Sequence, residues 1–313
     1  MPLQWIVRPI ICSPLLMSWF GGQTARDEHA YVEYANACVA SRTGASEGKS
    51  QERKDVMYHM LEARHPASNQ PFSKQDLDAE SSLLIAAGAD TTSTTLAAAM
   101  FYLTLSSSKK YFDELTDQLR GSFDSVHDIS GSRAVTQPLL RAIVDETLRL
   151  SPSVPTHLPR MVVEKPGITV AGQFIPTGTV VGCSAYVLHR DEAAYPYSDQ
   201  FRPERWIEND QCPRNSIQHP EQVALAKQAF CAFSLGSRGC VGKSLAYLEL
   251  SIVLGRLLWS HDVRRADGTD DATVRTVEEG ASKGWAMRKD EYQLKDRFLA
   301  QREGPMLQFR RRH

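Results

Sequence analysis

Phe233-Ser-Leu-Gly236-Ser-Arg238-Gly-Cys240-Val-Gly242 stands immediately before a run of helical spacing that extends from Val241 to about Trp259. Gly236 allows a backbone turn that is closed to other residues, and Gly242 lets the start of the helix pass close beneath a flat ligand. Cys240 falls at the positive end of that helix, where the dipole favours a thiolate over a thiol. Arg238, two residues earlier, supplies a fixed positive charge suited to a carboxylate. A thiolate, clearance for a plane and a clamp for an anion together describe a haem site with cysteine as the axial ligand. A lone cysteine in a glycine-rich loop is ordinarily a buried structural residue. Five specified positions within ten, placed before a helix, weigh against that bland explanation.

The pattern FxxGxRxCxG resembles the haem-binding loop of the cytochrome P450 monooxygenases, whose iron is held by a cysteine thiolate. Further segments similar to that family's motifs follow the same order along the chain. Ala87-Gly88-Ala89-Asp90-Thr91-Thr92 lies in a long helical stretch and looks like the oxygen-activation motif. Gly88 opens room on an apolar face, and a mid-helix threonine hydroxyl can bond back to the carbonyl four residues earlier, which predicts a local widening of the helix. The resemblance makes Thr91 a hydrogen-bond donor to bound dioxygen and Asp90 the source of protons for O–O cleavage, a case of positioned acid catalysis. Without the cysteine loop, the same stretch reads as a Ser/Thr-rich helix turn with Asp90 in solvent.

Glu146-Thr-Leu-Arg149 puts two charges on one helix face, and as an exposed pair it would mean little. Together with Phe201-Arg-Pro203-Glu204-Arg205-Trp206, the resemblance implies a Glu146, Arg149 and Arg205 network that supports the haem pocket without taking part in catalysis. It also implies that Arg160 contacts a haem propionate and that Phe233 packs beside the thiolate and shields it. Read as a surface residue, Arg160 would need no such partner. His189, in Leu-His-Arg-Asp, is taken as structural and not as a metal ligand.

Working outward, helical patterns cover Tyr31 to about Arg42, Glu52 to Arg64, Lys74 to Leu105, Lys109 to Phe123 and Pro138 to Leu150, with a polar link over Ser41 to Gln51. Ser73-Lys-Gln-Asp76 has the spacing of a capping box, and Pro138 suits a first helical turn. After Pro155 the pattern predicts short strands at Thr156 to Val163, Ile168 to Val170 and Thr179 to Val187, then an irregular stretch from Phe201 to about Cys231. Small strands and turns are predicted around Gly304-Pro305. The fold class is therefore mainly α with a minor β part, and the resemblance implies a cytochrome P450-like fold, N-terminally truncated. Residues 1–72 are expected to form a helical segment ahead of the central helix, and residues 73–313 the haem-binding core, in one domain overall. No WxxxR pattern for a second propionate is present in residues 1–72: Arg8 follows Trp5 at the wrong spacing, and Trp19 has no suitable arginine.

Composition narrows the rest. With 42% hydrophobic and 23% charged residues and a net charge of -1, the 313-residue chain has no electrostatic bias towards nucleic acid. Six cysteines without a CxxC pair exclude a zinc ribbon and a dithiol redox site, and make a reducing compartment the default. The apolar opening, MPLQWIVRPIICSPLLMSWF, is broken by prolines and Arg8, so neither signal peptide nor transmembrane anchor is expected. A cytoplasmic chain, or one peripheral on the endoplasmic reticulum membrane, follows as the expected location.

The resemblance implies haem b and a monooxygenase that inserts one oxygen atom of O2 into a small apolar molecule in secondary metabolism. NADPH-cytochrome P450 reductase would supply the electrons, since the chain has no GxGxxG nucleotide loop of its own. Two alternatives stay open: a non-catalytic remnant acting as a binding or regulatory protein, and a haem-thiolate isomerase that needs no reductase.

Overall fold

The computed structural model describes residues 22–43, 54–266, 290–292, 294–295, 300–302 and 304–312. The opening residues, with Trp5, Arg8 and Trp19, and most of the Ser41 to Gln51 link lie outside them. The chain divides into two units, Met1–Ala89 and Asp90–His313.

Helices α1 (Gly22–Thr43) and α2 (Val56–Glu62) lie in the first unit, and the long helix α3 (Lys74–Leu103) begins in it and runs on into the second from Asp90. Asp55 caps α2 by accepting the Tyr58 amide hydrogen bond at 3.0 Å and pairs with Arg42 at 3.0 Å. At the start of α3 the Asp76 carboxylate accepts from the Ser73 amide at 2.9 Å, and the Asp76 amide donates to the Ser73 hydroxyl at 3.2 Å. These reciprocal bonds satisfy donors that the first helical turn leaves without partners. The Ser73 hydroxyl, which also donates to the Asp76 carboxylate at 2.6 Å, and the Ser73 amide hold that carboxyl below the usual carboxylate value.

The second unit is built on α4 (Lys109–Ser122), α5 (Gly131–Val135), α6 (Pro138–Leu150) and α9 (Lys243–Ser260), with the short helices α7 (Ala185–Leu188) and α8 (Pro220–Ala229) between the last two. On α9, Tyr247, Leu250, Leu254 and Leu258 recur at helical spacing and pack with Leu115 and Leu119 of α4 and Leu140 and Ile143 of α6. Arg120 closes the end of α9 by donating to the carbonyls of Leu258 and His261, both at 3.0 Å. Nearly all of α6 is buried, including Asp145, Glu146 and Arg149. Charges on a helix buried on so many sides must find partners.

The β part consists of antiparallel two-stranded pairings: β1 (Arg160–Met161) with β4 (Val180–Val181), β2 (Gly167–Val170) with β3 (Gln173–Pro176), β5 (His261–Arg265) with β8 (Leu307–Arg311), and β6 (Leu294–Lys295) with β7 (Gln301–Arg302). Three expectations change. The strand foreseen over Thr156 to Val163 is confined to Arg160–Met161. The strand foreseen over Thr179 to Val187 stops at Val181, because Ser184 turns back to donate its hydroxyl to the Pro155 carbonyl at 2.6 Å and α7 begins after it. The irregular stretch contains α8, started by a His219 cap and Pro220 in its first turn, and a 3-10 turn at Pro203–Trp206.

Leu254 is fully buried at the centre of this core. Leu254→Ala is expected to cost about 2–5 kcal/mol, read as a fall in the urea midpoint with an unchanged slope.

Candidate active site

The loop before α9 is shaped by its own backbone. Ser234 and Gly236 adopt left-handed conformations, φ 57° and 68°, and Gly236–Arg238 forms a 3-10 turn closed by the Gly239 amide on the Gly236 carbonyl at 3.0 Å. Glycine meets this demand at Gly236 without strain, whereas Ser234 pays a steric cost of roughly 1–2 kcal/mol. The Cys240 amide donates to the Phe233 carbonyl at 2.8 Å, so the loop folds back on its first residue. Helix α9 starts at Lys243 with Gly242 as its cap, leaving Cys240 just ahead of the first turn and exposed. A Cβ placed on Gly242 would stand 3.8 Å from the Cys240 sulfur, at ordinary van der Waals contact. Phe233 is half-buried, with its ring 5.1 Å from that of Tyr247, while Leu235 and Val241 turn outwards.

On α3, Asp90 is exposed and Thr91 is half-buried. The Thr91 carbonyl accepts two hydroxyls, Thr95 at 3.0 Å and Ser153 at 2.9 Å, and those hydroxyls lie 3.0 Å apart. The predicted local widening is not observed, since α3 is α-helical from Lys74 to Leu103. The added hydroxyls share a carbonyl without displacing the helix from its hydrogen-bond register. Thr95 was findable from its i,i+4 spacing to Thr91. Ser153 was not, because it reaches Thr91 across 62 residues.

Glu146 is 0% exposed and accepts five hydrogen bonds, so no water is needed to satisfy it. Arg149 donates to both oxygens at 2.9 Å, the Arg205 Nε at 3.0 Å, the Arg202 amide at 2.8 Å and the Trp206 indole at 3.0 Å. Burial alone would push the Glu146 carboxyl up, but Arg149 and Arg205 hold it below its ordinary value. The arginines spend their remaining donors on carbonyls of His189, Ser198 and Gln200, and of Pro196 and Tyr197. The structure thus brings together Glu146, Arg149 and Arg205, and adds Trp206 and the Arg202 amide. His189 joins the same frame: its Nδ1 meets the Arg149 carbonyl at 3.1 Å and its Nε2 accepts the Cys231 amide at 3.0 Å. Both ring nitrogens are engaged in the neutral tautomer, and burial pushes the imidazole down to about 4.

Arg160, on β1, donates to the adjacent Pro159 carbonyl at 2.9 Å. Neither Arg160 nor Arg238 has a carboxylate partner among the described residues, and both are exposed. Among the described residues no three His, Cys, Asp or Glu side chains gather as a metal cluster. An accessible thiol and two exposed guanidinium groups without carboxylate partners among the described residues fit a haem with two propionates.

Residues 4–295 match the Cytochrome P450 family model. The chain belongs to the cytochrome P450 family. Membership implies a haem-thiolate iron cofactor. The chain is 36% identical over 290 residues to a cytochrome P450 monooxygenase of Gibberella zeae, covering 92% of this chain and 62% of that protein. It is 34% identical to the cytochrome P450 monooxygenase atnE of Emericella nidulans, covering 90% and 50%, and 37% identical to apf7 of Gibberella fujikuroi, covering 87% and 49%. The chain thus spans about half to just under two thirds of these relatives' lengths. Among solved structures it is similar to a crystal structure of a cytochrome P450, with a TM-score of 0.69 at 17% identity, covering 99% of this chain and 63% of that one. A retinoic acid bound cyanobacterial P450 aligns with a TM-score of 0.63 at 22% identity, covering 79% and 52%. These likenesses show the P450 fold, mainly α with a minor β part. No helix among the described residues is long and apolar enough to cross a membrane.

His189 generates a pH prediction. The unfolded imidazole takes up a proton near pH 6.5, and the folded one not until about 4. The contribution of neutral His189 is complete above pH 6.5 and is lost as the pH falls towards 4, by up to about 3 kcal/mol. His189→Gln has no charge to gain, so denaturant midpoints measured between pH 7 and 4 should fall less steeply for the variant than for the parent. Equal slopes would rule His189 out as the source.

Proposed function

We propose that this chain is the haem-thiolate part of a monooxygenase that inserts one oxygen atom of O2 into a small apolar molecule of secondary metabolism. The observation that carries the proposal is the Cys240 loop, which holds an exposed thiol ahead of α9 by a bond from its amide to the Phe233 carbonyl. The fungal relatives, named monooxygenases, support the reaction class. Bound haem supplies an iron centre for activating dioxygen, tuned by its thiolate ligand.

The chain's own residues divide the remaining work. Cys240 would hold the iron through its thiolate, with Gly242 beside it at the start of α9. Arg160 and Arg238 would hold the propionates through charge-assisted hydrogen bonds. Asp90, in contact with water, picks up protons at its carboxylate, and the half-buried Thr91 hydroxyl relays them inwards. Glu146, Arg149 and Arg205 fix the segment from Pro196 to Trp206 that leads towards the cysteine loop. A flavoprotein reductase using NADPH supplies electrons, docking on the Cys240 side.

The chain expressed with a haem supply is expected to show, on reduction and addition of carbon monoxide, the red-shifted Soret band of thiolate ligation, and Cys240→Ser to abolish it. A band indifferent to Cys240→Ser, or no haem at all, contradicts the proposal. Arg238→Leu should release haem to an acceptor globin about tenfold faster, in keeping with one lost charge-assisted hydrogen bond.

A further inference from the structure

Two neighbouring carboxylates on α6 serve different parts of the molecule. Glu146 faces Arg205 and Trp206. Asp145, itself buried, faces α9, where the Tyr247 hydroxyl donates to its Oδ1 at 2.5 Å. Arg141, one turn back on α6, donates to Oδ2 at 2.9 Å and lays its guanidinium over the Tyr247 ring at 3.6 Å. The Tyr247 ring is thereby fixed on its edge by a hydrogen bond and on its face by a cation. That ring also meets Phe233, 5.1 Å away at 46°, whose carbonyl receives the Cys240 amide. Asp145, Tyr247, Phe233 and Cys240 therefore form an unbroken chain of contacts that shares no side chain with the Glu146 cluster.

We propose that Asp145 and Tyr247, braced by Arg141, are positioning residues for the Cys240 loop, setting through Phe233 where the thiol stands and how well it is screened from water. The role in thiolate ligation rests on the haem-thiolate function proposed above, whereas the mechanical role in holding the loop does not. A cavity of about 520 Å³ lined by Arg141, Asp145, Lys243 and Tyr247 borders the pair. Water entering there would satisfy Asp145 when Tyr247 loses its hydroxyl, so Tyr247→Phe is expected to fold.

Two readouts on the full chain test the proposal. Amide hydrogen exchange of the chain without haem, compared between parent and Tyr247→Phe, is expected to quicken about tenfold over residues 233–242, in keeping with one lost hydrogen bond to a charged group, and to stay unchanged over residues 202–206. Asp145→Asn, which keeps an acceptor and the side-chain shape, should show a smaller change in the same place. In the haem-loaded chain, Tyr247→Phe should turn the carbon monoxide complex into its thiolate-free form about tenfold faster, and adding Phe233→Leu to it should have less than an additive effect. Exchange that rises equally over both segments, or not at all, overturns the positioning role, as does an unaltered lifetime of the thiolate-ligated band. If the parent shows no such band but the exchange difference is present, the haem function fails and the mechanical role stands. If the band is present and both variants match the parent, the reverse holds.

Discussion

A carboxylate with no access to water organises the second unit. Glu146 could be removed from solvent on α6 only because five donors converge on it, and three of the five come from a separate segment that must arrive in one specific arrangement. Arg149 comes with it on the same helix. Arg205, Trp206 and the Arg202 amide come from a segment with little regular structure to hold it. Each arginine then spends its remaining donors on carbonyls of Pro196, Tyr197, Ser198 and Gln200, which have no strand or helix to satisfy them. An irregular segment obtains from one buried ion cluster the order that a sheet would otherwise supply. Replacing the cluster by apolar groups would save desolvation but would take from those carbonyls the arginine donors that hold them.

His189 extends that frame towards the cysteine. Its ring bridges the Arg149 carbonyl and the Cys231 amide and stacks on Phe230 at 5.2 Å, so the end of α6 is tied to the chain that enters the loop. Neutrality is part of this role, because a protonated ring has no lone pair with which to accept the Cys231 amide. The same burial that makes the bond dry also keeps the proton off.

What could be read from the sequence was whatever depends on neighbours. The capping box at Ser73 and Asp76, the first-turn Pro138 and the helical face on α9 are decided within a few residues, and the structure has all three. The ten residues from Phe233 to Gly242 are local in the same sense, since their turn and their closing bond are internal to the loop. Helix α8 was hidden by a Pro-, Asn- and Gln-rich composition, although His219 and Pro220 mark its start. The strand foreseen beyond Val181 ends early because the Ser184 hydroxyl bonds to the Pro155 carbonyl 29 positions away, a contact that no local pattern carries. Ser153 at the Thr91 carbonyl and Trp206 at Glu146 belong to the same class. Their partners are set by the packed helices, and no spacing rule reaches them.

An exposed thiol poses a mechanical problem whose solution explains why α6 carries two adjacent charges. A ligand-binding sulfur must be reachable, so the loop that bears it cannot be buried, and Leu235 and Val241 beside Cys240 face outwards for the same reason. Rigidity must then come from behind, through Phe233, the one large side chain of the loop that packs into the core. Consecutive residues on a helix point about 100° apart, so Asp145 and Glu146 address two different neighbours from a single rigid element. One holds the segment that leads to the loop, and the other holds the tyrosine on which the loop rests. Because both anchor on α6, movement of that helix would shift both supports together, and their relative placement is fixed by the helix backbone itself.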